Sequence, residues 1–279
     1  NQSIMKTIII PTDFSPVATN AMHYGLEMAR SVNASLLLFH AYQVPVSYSD
    51  VPIILVSVDE LKKSAEERLE TLKKEVEHIS SGSVKIYTEA VMGNFSDELE
   101  NICQKINPFA VVMGSKGSAG IERVLFGSNT LAAIKHITWP VIAVPPEKTY
   151  GNGIQKIGFA CDFRNIVATT PSAAILDMAK AFNAELHVLN VDYHDKHFKP
   201  DTPEQSVMLH TLLESANPEY HFIEHRDVED GINEFADKNN LDLLITIPKK
   251  HKLLEGLFHR SSTKELIVQS HVPVMCIHE

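Results

Sequence analysis

The chain is written twice, and that repetition restricts its fold more than any other feature. Ala29-Arg30-Ser31-Val32-Asn33-Ala34-Ser35-Leu36 returns as Ala179-Lys180-Ala181-Phe182-Asn183-Ala184-Glu185-Leu186. In each copy a helical segment ends, the chain turns at Asn-Ala, and an apolar run follows, Leu37-Leu38-Phe39-His40 or His187-Val188-Leu189-Asn190. Upstream, Ile10-Pro11-Thr12-Asp13-Phe14 pairs with Phe159-Ala160-Cys161-Asp162-Phe163. Downstream, Trp139-Pro140-Val141-Ile142-Ala143-Val144 pairs with Val272-Pro273-Val274-Met275-Cys276-Ile277. Two domains of about 140 residues follow, an ordinary size. The polar, glycine-bearing stretch from Glu147 to Gly153 joins them, so the expected boundaries are 1–148 and 149–279.

Within the first copy, apolar runs alternate with helical periodicity. The pattern predicts strand 6–12, helix 15–32, strand 34–41 and a loop marked by Pro45 and Pro52. A charged amphipathic helix over 58–79 carries Leu61, Ala65, Leu69, Leu72 and Val76 on one stripe. Strand 84–91, helix 96–106, strand 108–113, helix 128–137 and strand 141–145 complete the copy. The second copy has a shorter second helix over 203–215, and a helix over 171–182 that starts at Pro171, a favourable first-turn position. Continuously apolar strands alternating with helices imply a parallel sheet covered on both faces. The short apolar strands after Pro140 and Pro273 are edge candidates that need covering.

Residues 114–128 carry the chemistry. The apolar run Phe109-Ala110-Val111-Val112-Met113 has the make-up of a buried strand, and a glycine-rich loop leaves it to end in Gly127-Ser128 at the start of a helix. Glycines let backbone N–H groups approach an anion, and the free N–H groups of a helix N-terminus point at it. Ser128 can add a hydroxyl, and Lys116 and Arg123 can add charge. The loop is not a P-loop, because no Gly-Lys-Ser/Thr follows at the required distance, and no GxGxxG opens a first helix.

The spacing is Gly114, two residues, Gly117, nine residues, then Gly127-Ser128. It resembles the nucleotide-binding motif of the universal stress protein family, and the resemblance covers nearly the whole chain as a tandem pair. The resemblance implies an α/β fold of two tandem Rossmann-like (adenine nucleotide alpha hydrolase-like) domains. Each would be a five-stranded parallel sheet, strand order 3-2-1-4-5, with helices on both faces. That order sets the ends of strands one and four side by side, where open α/β sheets bind ligands. It also implies a site built from Pro11, Thr12 and Asp13, with the acid beside the nucleoside. Phe39, His40 and Ala41 would hold adenine partly through backbone groups, and Met113 and Gly114 would bound the sugar. Ser115, Lys116, Gly117, Phe126, Gly127, Ser128 and Asn129 would surround the phosphates. A second reading of Asp13 and Ser15, that they cap the following helix, can coexist with the first.

The second copy lacks this equipment. Aligning Leu125-Phe126-Gly127-Ser128 with Leu257-Phe258-His259-Arg260 puts Thr246, Lys249 and His259 at the three glycines, and Pro248 removes a backbone donor. One nucleotide per chain is therefore expected, in the N-terminal domain, as ATP or AMP/ADP, with Mg²⁺ accompanying the phosphates. Lys249, Lys250, His251, Lys252, His259 and Arg260 read as a solvated basic loop, with a side-chain anion site as the competing reading. Asp192-Tyr193-His194-Asp195-Lys196-His197 reads as a solvated loop without a second cluster at metal-ligand spacing. His221 and His225 show no evident partner, and no metal site is expected.

A net charge of −10 argues against sequence-independent binding to nucleic acid or an anionic membrane. Three scattered cysteines, no bilayer-spanning apolar stretch and no signal-peptide pattern point to the cytoplasm. No Walker-type lysine, general base or paired carboxylate stands on the loop, so a regulatory adenine-nucleotide binder with at most slow ATP hydrolysis is expected. The alternatives are a nucleotide-independent interaction module and an enzyme acting on a small anionic metabolite. The two domains are expected to pair across their last strands as an intrachain pseudo-dimer, with a homodimer through the long helices or residual edges as a further option.

Overall fold

A computed structural model of the chain describes residues 6–44, 57–115, 127–193, 202–248 and 262–278. Its first half runs β1 (Thr7–Pro11), α1 (Pro16–Ser31), β2 (Ser35–Tyr42), α2 (Val58–Ile79), β3 (Ile86–Met92), α3 (Phe95–Ile106), β4 (Ala110–Gly114), α4 (Ser128–His136) and β5 (Val141–Val144). Its second half runs β6 (Lys156–Ala160), α5 (Ile166–Thr169), α6 (Ser172–Phe182), β7 (Glu185–Asp192), α7 (Thr202–Leu213), β8 (Glu219–Glu224), α8 (Val228–Asn239), β9 (Leu243–Thr246), α9 (Ser262–Gln269) and β10 (Val274–Cys276). The helix starts follow from local chemistry. The Ser15 hydroxyl accepts the Ala18 N–H at the head of α1, and Pro16 fills the first turn. At the head of α2, Ser57 and Glu60 form a reciprocal capping box, and these hydrogen bonds hold the Glu60 carboxyl below its ordinary range.

The repeated Asn-Ala turns have one cause in both halves. Asn33 and Asn183 each sit in the left-handed region, at φ 51°. The following alanine closes a helix-ending bond, Ala34 N–H to Ala29 C=O at 2.8 Å and Ala184 N–H to Ala179 C=O at 2.9 Å. Asparagine tolerates this conformation better than other residues with a side chain, and the alanine bond satisfies a carbonyl of the last turn.

All the described strands lie in one ten-stranded sheet, order β3-β2-β1-β4-β5-β10-β9-β6-β7-β8. Each half is parallel internally and has the order expected. The halves join at β5 and β10, which pair antiparallel with Val274 opposite Ala143, Met275 opposite Ile142 and Cys276 opposite Val141. The two edge candidates thus cover one another. Side chains alternate between two apolar layers, and both layers cross the seam. One contains Ile8, Ile10, Leu38 and Ile142 with Phe159, Ile245 and Met275 under α1, α2, α6 and α7. The other contains Ile9, Leu37 and Val111 with Leu244, Val274 and Cys276 under α3, α4, α8 and α9. Burial pushes the Cys276 thiol far above its usual range and that of Cys103 up to about 12, so both behave as small apolar residues. The joining segment also packs down: Tyr150 OH lies 2.7 Å from Ser31 Oγ, and its ring meets Tyr24 edge-on at 5.2 Å.

On α2, Ala65, Leu69 and Val76 are buried and Leu61 and Leu72 half-buried, as the stripe predicts. One element departs from the reading. The short helix α5 stands between β6 and α6, where the first half passes straight from Ser15 into α1. It is held by the buried Ile166 side chain and by a bond from the Ile166 N–H to Gln205 Oε1 at 2.9 Å.

Ile142 and Met275 face each other across the seam and are fully buried. Ile142→Ala and Met275→Ala should each lower unfolding stability by about 2–5 kcal/mol. The double variant should lose less than their sum, because the two share one contact. Denaturant unfolding checks both points, and two separately resolved transitions would contradict a core shared by the halves.

Candidate functional site

The chain turns sharply after β1, and Thr12 organises the turn. Its buried N–H donates to the Phe39 carbonyl at 2.8 Å, and its hydroxyl accepts the Phe14 N–H at 2.9 Å. Its carbonyl lies 2.7 Å from His40 Nδ1, which donates in the tautomer that protonates that nitrogen. Phe14 takes φ 64°, a left-handed conformation that is costly for a bulky residue. Contacts on its ring hold it there: the His40 ring at 4.8 Å and the Arg68 guanidinium 3.9 Å from its centroid. Asp13 is thereby presented to solvent at the carboxyl end of β1. One of its oxygens accepts the Ser15 N–H at 3.0 Å, so Asp13 supports the helix start and still offers the other oxygen.

β4 lies beside β1 with Ile8 opposite Ala110 and Ile9 opposite Val111. Carrying that register forward sets Thr12 abreast of Gly114. A Cβ on Gly114 would stand 2.3 Å from Val17 Cγ1 and 3.2 Å from the Val17 carbonyl, so glycine is required there for α1 to pass close to β4. The Gly114 carbonyl accepts the Thr130 hydroxyl at 2.8 Å, which ties the strand end to α4. Ser115 donates its N–H to Val144 at 2.8 Å, and its carbonyl receives the Gly127 N–H at 3.4 Å. The two ends of the glycine-rich loop therefore meet. The Ser115 hydroxyl is buried and has no hydrogen-bond partner among the described residues. Gly127 is the N-cap of α4 and supplies no side-chain cap. The first-turn amides of α4, beginning with the exposed Ser128 and Asn129, thus have no helical carbonyl to bond and start from the β4 end that adjoins β1.

Thr12, Asp13, His40, Gly114, Ser115, Gly127, Ser128 and Asn129 gather at this end of the sheet. Pro11, Phe39 and Met113 are buried below it; Phe39 packs on Phe95 with ring centroids 6.4 Å apart. The β1–β2 ladder ends at Pro11 opposite Phe39, so Ala41 stands beyond it, with main-chain groups nearer the crevice. Lys116, Gly117, Arg123 and Phe126 lie outside the described residues. Sequence reasoning cast His40 as a backbone contact and missed its side-chain role. A signal was present: Asn190, its repeat counterpart, is also a side-chain donor.

The second half replays the turn bond for bond. Cys161 donates to the Leu189 carbonyl at 2.9 Å, its sulfur accepts the Phe163 N–H at 3.4 Å, and Asn190 Nδ2 donates to its carbonyl at 2.9 Å. Phe163 also has positive φ, 50°, and its ring stacks on Phe222 at 5.8 Å. The difference lies in the acid and the glycine. Asp162 has Arg164 beside it, Nε to Oδ2 3.9 Å, whereas Asp13 has no basic partner among the described residues. Thr246 and the buried Pro248 stand at the end of β9 where the first half has Gly114 and Lys116. The loop residues Lys249, Lys250, His251, Lys252, His259 and Arg260, and His194 to His197, lie outside the described residues.

The sequence pattern of the universal stress protein family matches residues 5–145 and again residues 154–278. Universal stress protein MJ0531 of Methanocaldococcus jannaschii is 32% identical over 152 residues, which is 53% of this chain and 86% of that protein. Universal stress protein MJ0577 of the same organism is 27% identical over 155 residues, 50% of this chain and 94% of that protein. The crystal structure of a universal stress protein from Archaeoglobus fulgidus superposes with TM-score 0.75 at 19% identity, covering 100% of this chain and 99% of that one. That likeness is one of fold, and it extends to the arrangement of both halves. Among the described residues no helix is long and apolar enough to cross a membrane.

Thr12→Val removes the acceptor for a partly buried N–H and should lower stability by about 1–3 kcal/mol in urea unfolding. Thr12→Cys, which recreates the second half's arrangement, should lose less. Equal losses would show that the hydroxyl does not hold the turn.

Proposed function

We propose, from the premise that the chain belongs to the universal stress protein family, that its N-terminal half binds one adenine nucleotide and that occupancy acts as a regulatory signal. The observation that carries this reading is the uncapped start of α4 beside the orphaned Ser115 hydroxyl. A phosphate group suits both. The α4 amides offer hydrogen bonds and a positive dipole end, and a buried hydroxyl without a partner gains an acceptor. The exposed oxygen of Asp13 accepts from a ribose hydroxyl or the adenine amino group, and the main chain at Ala41 faces the base. ATP and AMP/ADP share these contacts and differ in how far the phosphates reach along the Ser115–Gly127 junction. Mg²⁺ accompanies the longer phosphate chain, whose oxygens and bound waters supply most of its ligands, with Asp13 and Ser128 as the oxygen donors at hand.

The site is assigned to binding rather than to fast turnover. Asp13 already gives one oxygen to Ser15, and His40 Nδ1 is engaged with the Thr12 carbonyl. Hydrolysis therefore rests on positioning and is slow. Regulation follows from linkage: a ligand that bridges Ser115 and the α4 amides stabilises the folded chain by about 2.7 kcal/mol at a hundredfold excess over Kd. The second half, with Thr246 and Pro248 at the strand end, is assigned no nucleotide.

Calorimetric titration of the full chain with ATP and AMP should give one site per chain. Ser128→Glu places a carboxylate where a phosphate would sit, while the helix dipole favours it and the fold stands. Nucleotide affinity should fall by at least about 100-fold, the scale of losing two charge-assisted hydrogen bonds. Undiminished affinity in this variant, or two equivalents bound, would overturn the assignment.

A further inference from the structure

A second cluster lies in the other half, on the two outermost strands. β7 and β8 run parallel with His187 opposite Glu219 and Leu189 opposite His221. His187, Glu219 and His221 therefore share one face, the face covered by α8, where the Phe235 ring stands 4.7 Å from that of His221. Three potential donor atoms converge there. His187 Nδ1 is 3.0 Å from His221 Nε2 and 3.5 Å from Glu219 Oε2, and His221 Nε2 is 3.8 Å from that oxygen. These edges (3.0, 3.5 and 3.8 Å) define a triangle with a circumradius of about 2.0 Å, so a tetrahedral cation about 0.7 Å above its plane would lie about 2.1 Å from each atom, within the range of zinc to imidazole nitrogen or carboxylate oxygen. Their mean of about 3.4 Å matches the ligand–ligand edge of a tetrahedral zinc site and exceeds the roughly 3.0 Å of an octahedral facial triad.

One hydrogen bond, between the two imidazoles, satisfies only part of this arrangement. Two neutral imidazoles can share one proton across the 3.0 Å gap, which leaves the Glu219 carboxylate facing nitrogen lone pairs. His187 is 7% exposed, and its other nitrogen, Nε2, is buried without a hydrogen-bond partner among the described residues. A cation at the centre engages all three donor atoms at once and fixes the His187 tautomer. Nδ1 then carries the metal, Nε2 keeps its proton, and that N–H is directed toward the Glu185 carboxylate 3.6 Å away, which a small rotation of an exposed side chain brings into bonding range. A carboxylate behind a ligating histidine is the usual device for fixing its tautomer.

We propose that His187 Nδ1, His221 Nε2 and Glu219 Oε2 form a three-ligand site for a divalent metal of zinc type, with Glu185 orienting His187. The fourth tetrahedral position is open to water or a small anion, because Glu219 borders solvent. Bound metal clips the edge strand β8 to β7, far from the crevice at β1 and β4 and independent of nucleotide.

The test uses the full chain, stripped of metal, with Zn²⁺ titrated against a chromophoric chelator and Co²⁺ as spectroscopic probe. The parent chain should take up Zn²⁺ tightly at one site, and its Co²⁺ form should show the intense visible bands of tetrahedral coordination. Glu219→Gln and His221→Gln alter exposed or half-buried side chains, so the fold is retained. Each should weaken this site by at least about 100-fold and remove the bands, whereas Glu185→Gln should weaken it by about 10- to 100-fold and keep them. ATP binding should be unchanged in all three. Failure of the parent to bind Zn²⁺ at micromolar concentration, an octahedral Co²⁺ spectrum, or equal affinity in the Glu219 and His221 variants would overturn the proposal.

Discussion

Strands β1 and β4 are neighbours, yet the helices that follow them pack on opposite faces of the sheet, and the functional end of the molecule depends on that divergence. α1 buries Met22 and Leu26 in one layer, while α4 buries Ala133 and Ile134 in the other. The chain therefore leaves a crevice at the carboxyl ends of these two strands, with the open amides of α4 on one wall. Gly114 lets α1 approach β4 closely, and the Thr130–Gly114 bond sets α4 against the same strand end. The turn through Thr12 and His40 then presents Asp13 at the mouth. Packing, not loop sequence alone, aims these groups at one volume.

The same constraint is applied twice, and the two outcomes differ. The Thr12 turn and the Cys161 turn are nearly superimposable in their bonding, so the repeat has kept the scaffold of the crevice. What differs is the furniture: an acid with no basic neighbour among the described residues and a glycine in the first half, an acid beside Arg164 and a threonine in the second. The antiparallel seam of β5 and β10 points the two crevices toward opposite ends of one sheet. It also places the amino ends of β7 and β8 at the same end as the first crevice, with six strand spacings of about 4.8 Å between β1 and β7. The two candidate sites can therefore act without direct contact.

The duplication, the parallel halves and the need to pair the strands after Pro140 and Pro273 were all legible, because each is a matter of local pattern or of an edge that must be covered. The left-handed Asn33 and Asn183 explain why the Asn-Ala dipeptide marked both turns. Other features were invisible for a physical reason. The steric demand at Gly114 depends on how closely Val17 approaches from another element, and the sequence shows only a glycine that suits a phosphate loop. α5 is one turn long, too short to display a helical period, and it is fixed by Gln205 from a distant helix. His187 and His221 are 34 residues apart and meet only through the β7–β8 register. Phe39 and Met113 bury their side chains in the core, because both faces of the sheet are covered, so a place for them in the site rests on their main-chain groups.

Amide hydrogen exchange of the full chain with and without ATP tests the central claim most directly, because it reads the main-chain groups said to hold the phosphates. Slowed exchange on ATP addition should be confined to the Asp13–Ser15 turn and the stretch from Ser115 through the first turn of α4. The matching stretches of the second half, at Asp162 and beyond Thr246, should exchange as before. Slowing in the second half, or none at the start of α4, would contradict the account.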